Sequence, residues 1–229
     1  MMNFLHLVLT RPLLNILIWF YNVIPGQDLG LAIVALTLLI RLILVPSFQK
    51  SLRSQKELQQ MQPKLNEIKE KYKDDKEAQT KATLEFYKQN KINPLSSCLP
   101  LLVQLPILIA LFSVFRIGLK GDVVGELYPF VADPGQINTA FLGFWELTKP
   151  SFLFAFLAGA SQFFQSRMMV PKKSSTTDKS ATIMNAQMLY LMPIVTIVVA
   201  ARLPAGLSLY WLVTTVFAII QQYYIMRRA

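Results

Sequence analysis

The sequence has few of the residues that build catalytic or metal centres. It contains one cysteine, Cys98, and one histidine, His6, in 229 residues. A single cysteine cannot form an intrachain disulfide. One cysteine and one histidine are also too few ligands for a zinc site built from these residue types. No HExxH, GxSxG, Walker A or GxGxxG pattern occurs. We therefore predict that the protein is not an enzyme and holds no metal or cofactor.

Charged residues are also scarce, and hydrophobic residues are abundant. Only 16% of the residues are charged and 53% are hydrophobic, whereas soluble domains carry about 25% charged residues. This composition indicates a membrane protein that crosses the bilayer several times. The net charge of +10 could also indicate binding to nucleic acid or to a membrane surface. The distribution of the charges along the chain distinguishes between these interpretations.

Apolar runs divide the chain into five segments, each long enough for a bilayer that requires about 20 residues per helix. We predict an all-α membrane protein with five transmembrane helices. The first span covers residues 26–48, and residues 94–229 hold four more, at about 95–115, 151–169, 185–201 and 207–226.

Residues 1–25 predict an amphipathic helix at the extracytoplasmic membrane interface. Pro12 suits the first turn of a helix, and an aromatic cluster that begins at Trp19 suits the interface. A cleaved signal peptide is the alternative, but an early basic region and a small-residue cleavage site are missing. The apolar stripe of the helix contains Leu13, Leu14, Leu17, Ile18 and Tyr21.

The long polar segment, residues 49–93, contains eleven Lys and Arg and seven Asp and Glu residues. Its apolar residues from Leu58 to Tyr72 recur at alternating spacings of three and four, which is typical of a packed helix. Asp74 and Asp75 interrupt this pattern before a second helical pattern begins. The segment therefore favours a helical hairpin in water over a solvated charged linker.

The basic residues predict the orientation of the spans. Seventeen of the 23 Lys and Arg residues fall in segments on one side of the predicted membrane, and five fall on the other. The positive-inside rule then places the hairpin and the C-terminus in the cytoplasm and the N-terminus outside. Topology thus explains the basic excess before nucleic-acid binding is invoked, although the hairpin could contact ribosomal RNA or anionic lipid.

The one remaining basic residue, Arg41, lies inside the first apolar run. A guanidinium at bilayer depth costs about 2.5–3.5 kcal/mol on insertion scales. Thr37 precedes it by four residues and shares its helix face, and apart from Asp28, near the start of the first span, the predicted spans contain no acidic residue. Arg41 either extends toward the nearer surface or lines a functional polar cavity.

Three stretches resemble the YidC-type membrane protein insertases of the YidC/Oxa/Alb superfamily, in a short bacterial-like form. NPLSSCLPLLVQLPILIALFSVF (93–115) resembles their second core span, and LPAGLSLYWLVTTVFAIIQQYYI (203–225) resembles their last span. The first span, with its buried arginine and threonine, and the charged hairpin also resemble theirs. Roles that belong to a large extracytoplasmic domain or a long basic C-terminal tail are not expected.

The resemblance implies a hydrophilic groove within the membrane, open to the cytoplasm and to lipid, with Arg41 at its centre. It also implies an insertase and chaperone in the bacterial cytoplasmic (inner) membrane. The implied partners are nascent membrane-protein clients, the ribosome, a Sec-type translocon and lipids. Gln221 and Gln222 are interpreted as interfacial. The groove residues that we predict are Arg41, Thr37, Gln104, Gln162, Gln165, Tyr210, Trp211 and Thr214.

Alternative interpretations remain for single residues and for the whole chain. Gln104 could form a buried interhelical hydrogen bond, and Tyr210 and Trp211 could pack in the outer leaflet. A small-solute transporter or channel could use Arg41 as an anion site, but five unequal spans lack the internal repeat of transporters. An intramembrane enzyme would need a nucleophile and base that the spans do not offer.

Overall fold

A computed structural model of the chain describes residues 6–90, 99–120, 123–169 and 186–228. Within these ranges most residues are helical. Short π-helical segments, His6–Thr10 and Gln187–Leu191, lead into the first and sixth α-helices, and a 3-10 turn covers Val124–Glu126. The α-helices are α1 (Arg11–Val23), α2 (Leu29–Lys71), α3 (Lys76–Gln89), α4 (Leu99–Lys120), α5 (Phe152–Met169), α6 (Met192–Ala200) and α7 (Ala205–Arg228).

The predicted helical architecture is confirmed in its coarse form. Among the described residues, Leu29–Leu58 and Ala205–Ile225 are long and apolar enough to cross a membrane. Two shorter apolar helices cover Leu102–Phe115 and Gln187–Ala200. Part of the second predicted span, residues 95–98, lies outside the described residues. The number of five spans and their orientation stay predictions.

Helix α2 is much longer than the first predicted span. It begins at an N-cap, where the Asp28 carboxylate accepts a hydrogen bond from the Leu31 amide at 2.9 Å. It then continues through Pro46 and Pro63, although each proline removes one helical hydrogen bond. The predicted boundary between residues 48 and 49 therefore does not coincide with a helix end.

The charged half of α2 and helix α3 lie side by side. A short turn joins them, and the Asp75 carboxylate caps α3 by accepting hydrogen bonds from the Glu77 and Ala78 amides. The Gln79 side chain donates to the Lys69 carbonyl at 2.8 Å across the pair. This arrangement is a helical hairpin, while its position relative to a membrane stays a prediction.

Helix α1 turns one face into the protein. Leu14, Leu17, Ile18 and Tyr21 are completely buried, whereas Trp19 on the opposite face is exposed. Most of the predicted apolar stripe therefore packs into the core, where α1 contacts α2 and α4. The core continues along the first two turns of α2 and the start of α7.

The loop between α4 and α5 is held against α1 and α2. It contains a small antiparallel pair, β1 (Ala140–Phe141) and β2 (Trp145–Glu146). Phe141 packs so closely on Gly30 that a Cβ there would lie 2.1 Å from the ring. Phe130 and Phe144, by contrast, are exposed.

Helices α5, α6 and α7 pack together as a second part of the bundle. Gly159 of α5 faces α6 so closely that a Cβ would lie 2.2 Å from Ile197 and 3.0 Å from the Pro193 carbonyl oxygen. The turn between α6 and α7 is short, and the Ser208 hydroxyl donates to the Ala200 carbonyl at 3.1 Å. Small residues thus allow close approach of these helices.

Candidate functional site

Helices α2 and α7 lie side by side and run in the same direction. Near their beginnings, Ile33 of α2 lies against Gly206 of α7. Further along, the Gln221 side chain donates to the Val45 carbonyl at 3.3 Å. The segment of α2 that contains Arg41 therefore lies beside the middle of α7.

The Arg41 side chain is buried, with 7% of its surface exposed. Its guanidinium lies over the Phe48 ring, 4.5 Å from the ring centroid. Nη1 is buried without a hydrogen-bond partner, and the described residues provide no ion pair to Arg41. Because Phe48 follows two turns later on α2, the side chain reaches toward the charged half of the helix while it remains inside the protein.

Thr37 lies one turn before Arg41 and is also buried. Its hydroxyl donates to the Ile33 carbonyl of its own helix at 2.6 Å. The hydroxyl is therefore satisfied locally, and it adds a polar group to the face of α2 that carries Arg41.

Gln104 of α4 and Tyr210 of α7 meet through their side chains. The Gln104 amide donates to the Tyr210 hydroxyl, so the interhelical hydrogen bond considered for Gln104 is present. Tyr210 is 3% exposed, so it lies inside the protein, and it is close to Arg41. One turn later, Thr214 is buried close to Tyr210, while Trp211 is half-buried.

Gln162 takes part in a different contact, between α5 and α6. Its side-chain oxygen accepts a hydrogen bond from the Thr196 hydroxyl at 2.5 Å. Gln165, one turn later, is partly buried. No described contact joins either glutamine to Arg41, so the structure brings Arg41, Thr37, Gln104, Tyr210 and Thr214 together and leaves these two apart.

Two residues of this region were not predicted from the sequence. Phe48 supplies the aromatic partner of Arg41, and its spacing of seven residues from Arg41 could have indicated a shared helix face. Gln222 is 2% exposed and its side-chain oxygen has no partner, so it lies inside the protein, while its interfacial depth in a membrane stays a prediction. The signal in the sequence that could have indicated this burial was the spacing of eight residues between Gln222 and Thr214.

Comparison with known proteins gives consistent matches over most of the chain. The family model described as 60Kd inner membrane protein matches residues 19–229. The membrane protein insertase YidC of Fusobacterium nucleatum is 40% identical over 204 residues, which cover 88% of this chain and 87% of that protein. The YidC of Pelobacter propionicus is 36% identical over 223 residues, which cover 95% of this chain and 38% of that protein.

A solved structure is also similar to this chain. It is described as an active YidC insertase crystal structure with the first transmembrane domain resolved. The two agree with a TM-score of 0.61 at 28% sequence identity, over 90% of this chain and 43% of the other. The chain thus spans most of the Fusobacterium protein and less than half of the Pelobacter protein and of the solved chain.

Proposed function

Because the chain belongs to the YidC family of membrane protein insertases, we propose that it moves hydrophobic segments of newly made proteins from the cytoplasm into the bilayer. The path is a hydrophilic groove centred on Arg41, and no nucleotide is hydrolysed. The observation that carries this proposal is a buried guanidinium with no ion pair among the described residues and an unpaired Nη1.

The unpaired charge gives the groove a preference for acidic or strongly polar client segments. Coulomb attraction is stronger in a partly desolvated groove than in bulk water. Polar neighbours also reduce the cost of bringing a client's polar groups out of bulk water. Arg41 attracts the client, and Thr37, Gln104, Tyr210, Trp211 and Thr214 form the walls of the groove, with Gln162 and Gln165 as more distant wall residues.

The apolar part of the client moves along the outside of the bundle. Ile43 of α2 and Ile220 of α7 are 67% and 63% exposed, which supports a lipid-facing surface on both helices. Transfer of apolar area from water to lipid yields about 25 cal/mol per Å². This burial drives insertion, so the groove has only to lower the barrier for the polar segment.

The same proposal places five spans in the bacterial cytoplasmic membrane, with the N-terminus outside. The hairpin of α2 and α3 then extends into the cytoplasm, where its basic surface binds the ribosome and receives clients. A Sec-type translocon is a further partner for clients with several spans. The basic character of residues 49–93 and the hairpin geometry support this arrangement.

The central test is insertion by the purified protein in liposomes, with a single-span client that carries an acidic extracytoplasmic segment. We expect Arg41→Ala to lower insertion severalfold and Arg41→Lys to retain most of it, because lysine keeps the positive charge. Arg202→Ala is the matched control, since Arg202 is exposed at the turn between α6 and α7.

The outcome separates the proposed function from its alternatives. Full insertion of acidic and neutral clients by Arg41→Ala would show that the arginine is not the working element. Anion flux through the same liposomes in the absence of a client, abolished by Arg41→Ala, would instead favour a small-solute transporter or channel.

A further inference from the structure

A polar cavity lies between α2 and α7, beyond the apolar runs of both helices. Its volume is about 440 Å³, which is within the usual range of about 300–1,000 Å³ for small-molecule sites. At 1.5 Å per residue, it begins roughly 12 Å along α2 from Arg41. We call it the α2–α7 cleft, and its lining includes Gln49, Arg53, Lys56, Glu57, Tyr224 and Ile225.

The cleft contains two cations and one carboxylate that form no direct ion pair with one another. Arg53, Lys56 and Glu57 lie on one side of α2, at spacings of three and four residues. Within the described part of the chain, none of the three forms an ion pair within 4 Å. Arginine before glutamate is the less favourable order for a helical pair. The charges therefore remain available to a ligand that carries both an anion and a cation.

The other wall of the α2–α7 cleft is apolar and aromatic. Tyr224 is half-exposed, and Val216, Ile220 and Tyr223 form an exposed stripe on α7 that leads to it. Their spacings of four and three residues place them along one side of the helix. Tyrosine at such a position is typical of the membrane–water interface. A ligand with a polar head and a hydrocarbon chain fits this combination better than a soluble anion.

We propose that the α2–α7 cleft binds the headgroup of a phospholipid that carries a primary amine, as phosphatidylethanolamine does. The phosphate lies between Arg53 and Lys56, the ammonium group pairs with Glu57, and one acyl chain follows the stripe on α7. A phospholipid without an ammonium group leaves Glu57 unpaired beside its phosphate. The inference rests on the proposed function, because the cleft must lie at the cytoplasmic surface of a membrane.

The test is native mass spectrometry of the full chain, purified in detergent and mixed with equal amounts of phosphatidylethanolamine and phosphatidylglycerol. We expect the wild type to retain more phosphatidylethanolamine. Glu57→Gln should remove this preference, with a change in the retained ratio of about tenfold, as for the loss of one charge-assisted hydrogen bond. Arg53→Gln combined with Lys56→Gln should lower retention of both lipids.

Two controls make the result specific to the cleft. Lys88→Gln changes one exposed lysine on α3 and should leave the retained ratio unchanged. Inorganic phosphate at the lipid concentration should not displace the lipid, because it lacks both the ammonium group and the acyl chain. Displacement by phosphate would identify a simple phosphate site and overturn the proposal, as would an unchanged ratio in folded Glu57→Gln.

The lipid measurement contains no client, so it does not depend on insertion. Arg41→Ala should bind phosphatidylethanolamine normally, since Arg41 does not line the cleft. If lipid preference is absent but insertion depends on Arg41, the cleft proposal alone fails. If the preference is present but insertion does not depend on Arg41, the groove proposal fails instead.

Discussion

Within the described part of the chain, Arg41 keeps its charge inside the protein with an aromatic ring, rather than a carboxylate, as its partner. The distance of 4.5 Å from the Phe48 centroid is well within the range of about 6 Å for a cation–π contact. Such a contact is worth about 0.5–2 kcal/mol, depending on desolvation. It therefore offsets only part of the cost of the buried charge, and it leaves the guanidinium free to exchange the ring for a stronger acidic partner.

The first prediction concerns this ring. Phe48→Leu should lower the free energy of unfolding by about 1–2 kcal/mol through loss of the cation–π contact and of some packing. Phe48→Tyr should preserve the contact. Thermal unfolding in lipid nanodiscs measures the change, with Phe164→Leu as the control, since Phe164 is an exposed phenylalanine on α5.

A double-mutant cycle isolates the cation–π part of the effect. In an Arg41→Met background, Phe48→Leu should cost less than it does beside Arg41. Equal costs in the two backgrounds would mean that the ring only fills space. In that case the packing of the Phe48 side chain, and not a cation–π contact with its ring, explains its position.

The second prediction concerns the hydrogen bond between Gln104 and Tyr210. Tyr210→Phe leaves the partly buried Gln104 amide without this acceptor, which should destabilise the protein by about 1–3 kcal/mol. Adding Gln104→Leu removes the unsatisfied group and should restore part of that stability. The measurement is again thermal unfolding, and Tyr223→Phe provides an exposed control on the same helix. A double variant less stable than Tyr210→Phe alone would contradict this account.

Helices α5 and α6 approach each other closely at Gly159. A methyl group at this position would meet Ile197 and the Pro193 carbonyl oxygen, and the backbone atom cannot rotate away. Gly159→Ala should therefore destabilise the protein by about 1–3 kcal/mol, the usual cost of overpacking. Ile197→Val in addition should recover part of the loss in thermal unfolding, whereas Ala160→Ser on the same helix should have little effect. Unchanged stability in Gly159→Ala would show that the helices can separate.

The sequence predicted individual helices better than their ends and partners. Local signals were sufficient for the turn at Asp75, which caps α3, and for the helix that starts near Pro12. The predicted end of the first span at residue 48 is not a helix end, because α2 continues through Pro46 and beyond that residue. A helix can lose one hydrogen bond and continue when the residues on both sides remain helical.

The assembly of the candidate site depends on contacts that no local pattern contains. Arg41 and Thr37 could be assigned to one face from their spacing alone. The pairing of Gln104 with Tyr210 joins residues separated by 106 positions, and it follows from how α4 and α7 pack. The burial of Gln222 depends in the same way on the packing of α7.

At the scale of the whole molecule, the two ends of the bundle differ in kind. One end carries the charged hairpin and the α2–α7 cleft. At the other end, several side chains tie the loop after α4 to α1 and α2, and three of them accept hydrogen bonds from loop amides. Asn15 accepts from the Tyr128 amide at 2.6 Å, Tyr21 from the Asn138 amide at 2.7 Å and Asp28 from the Leu142 amide at 2.6 Å. The loop therefore forms a fixed cover at the end of the bundle opposite the hairpin.

Asp28 permits a sharp test of this cover, because its two carboxylate oxygens have different partners. Oδ1 accepts from the Leu31 amide and caps α2, whereas Oδ2 accepts from the Leu142 amide of the loop. Asparagine is a good N-cap but has only one side-chain oxygen. Asp28→Asn should therefore keep the cap and lose the tie to the loop. Hydrogen exchange should increase across residues 138–146 and stay nearly constant in the first turn of α2. Asp28→Ala should increase both, and a loop that stays protected in both variants would show that Phe141 and Tyr21 hold the cover without Asp28.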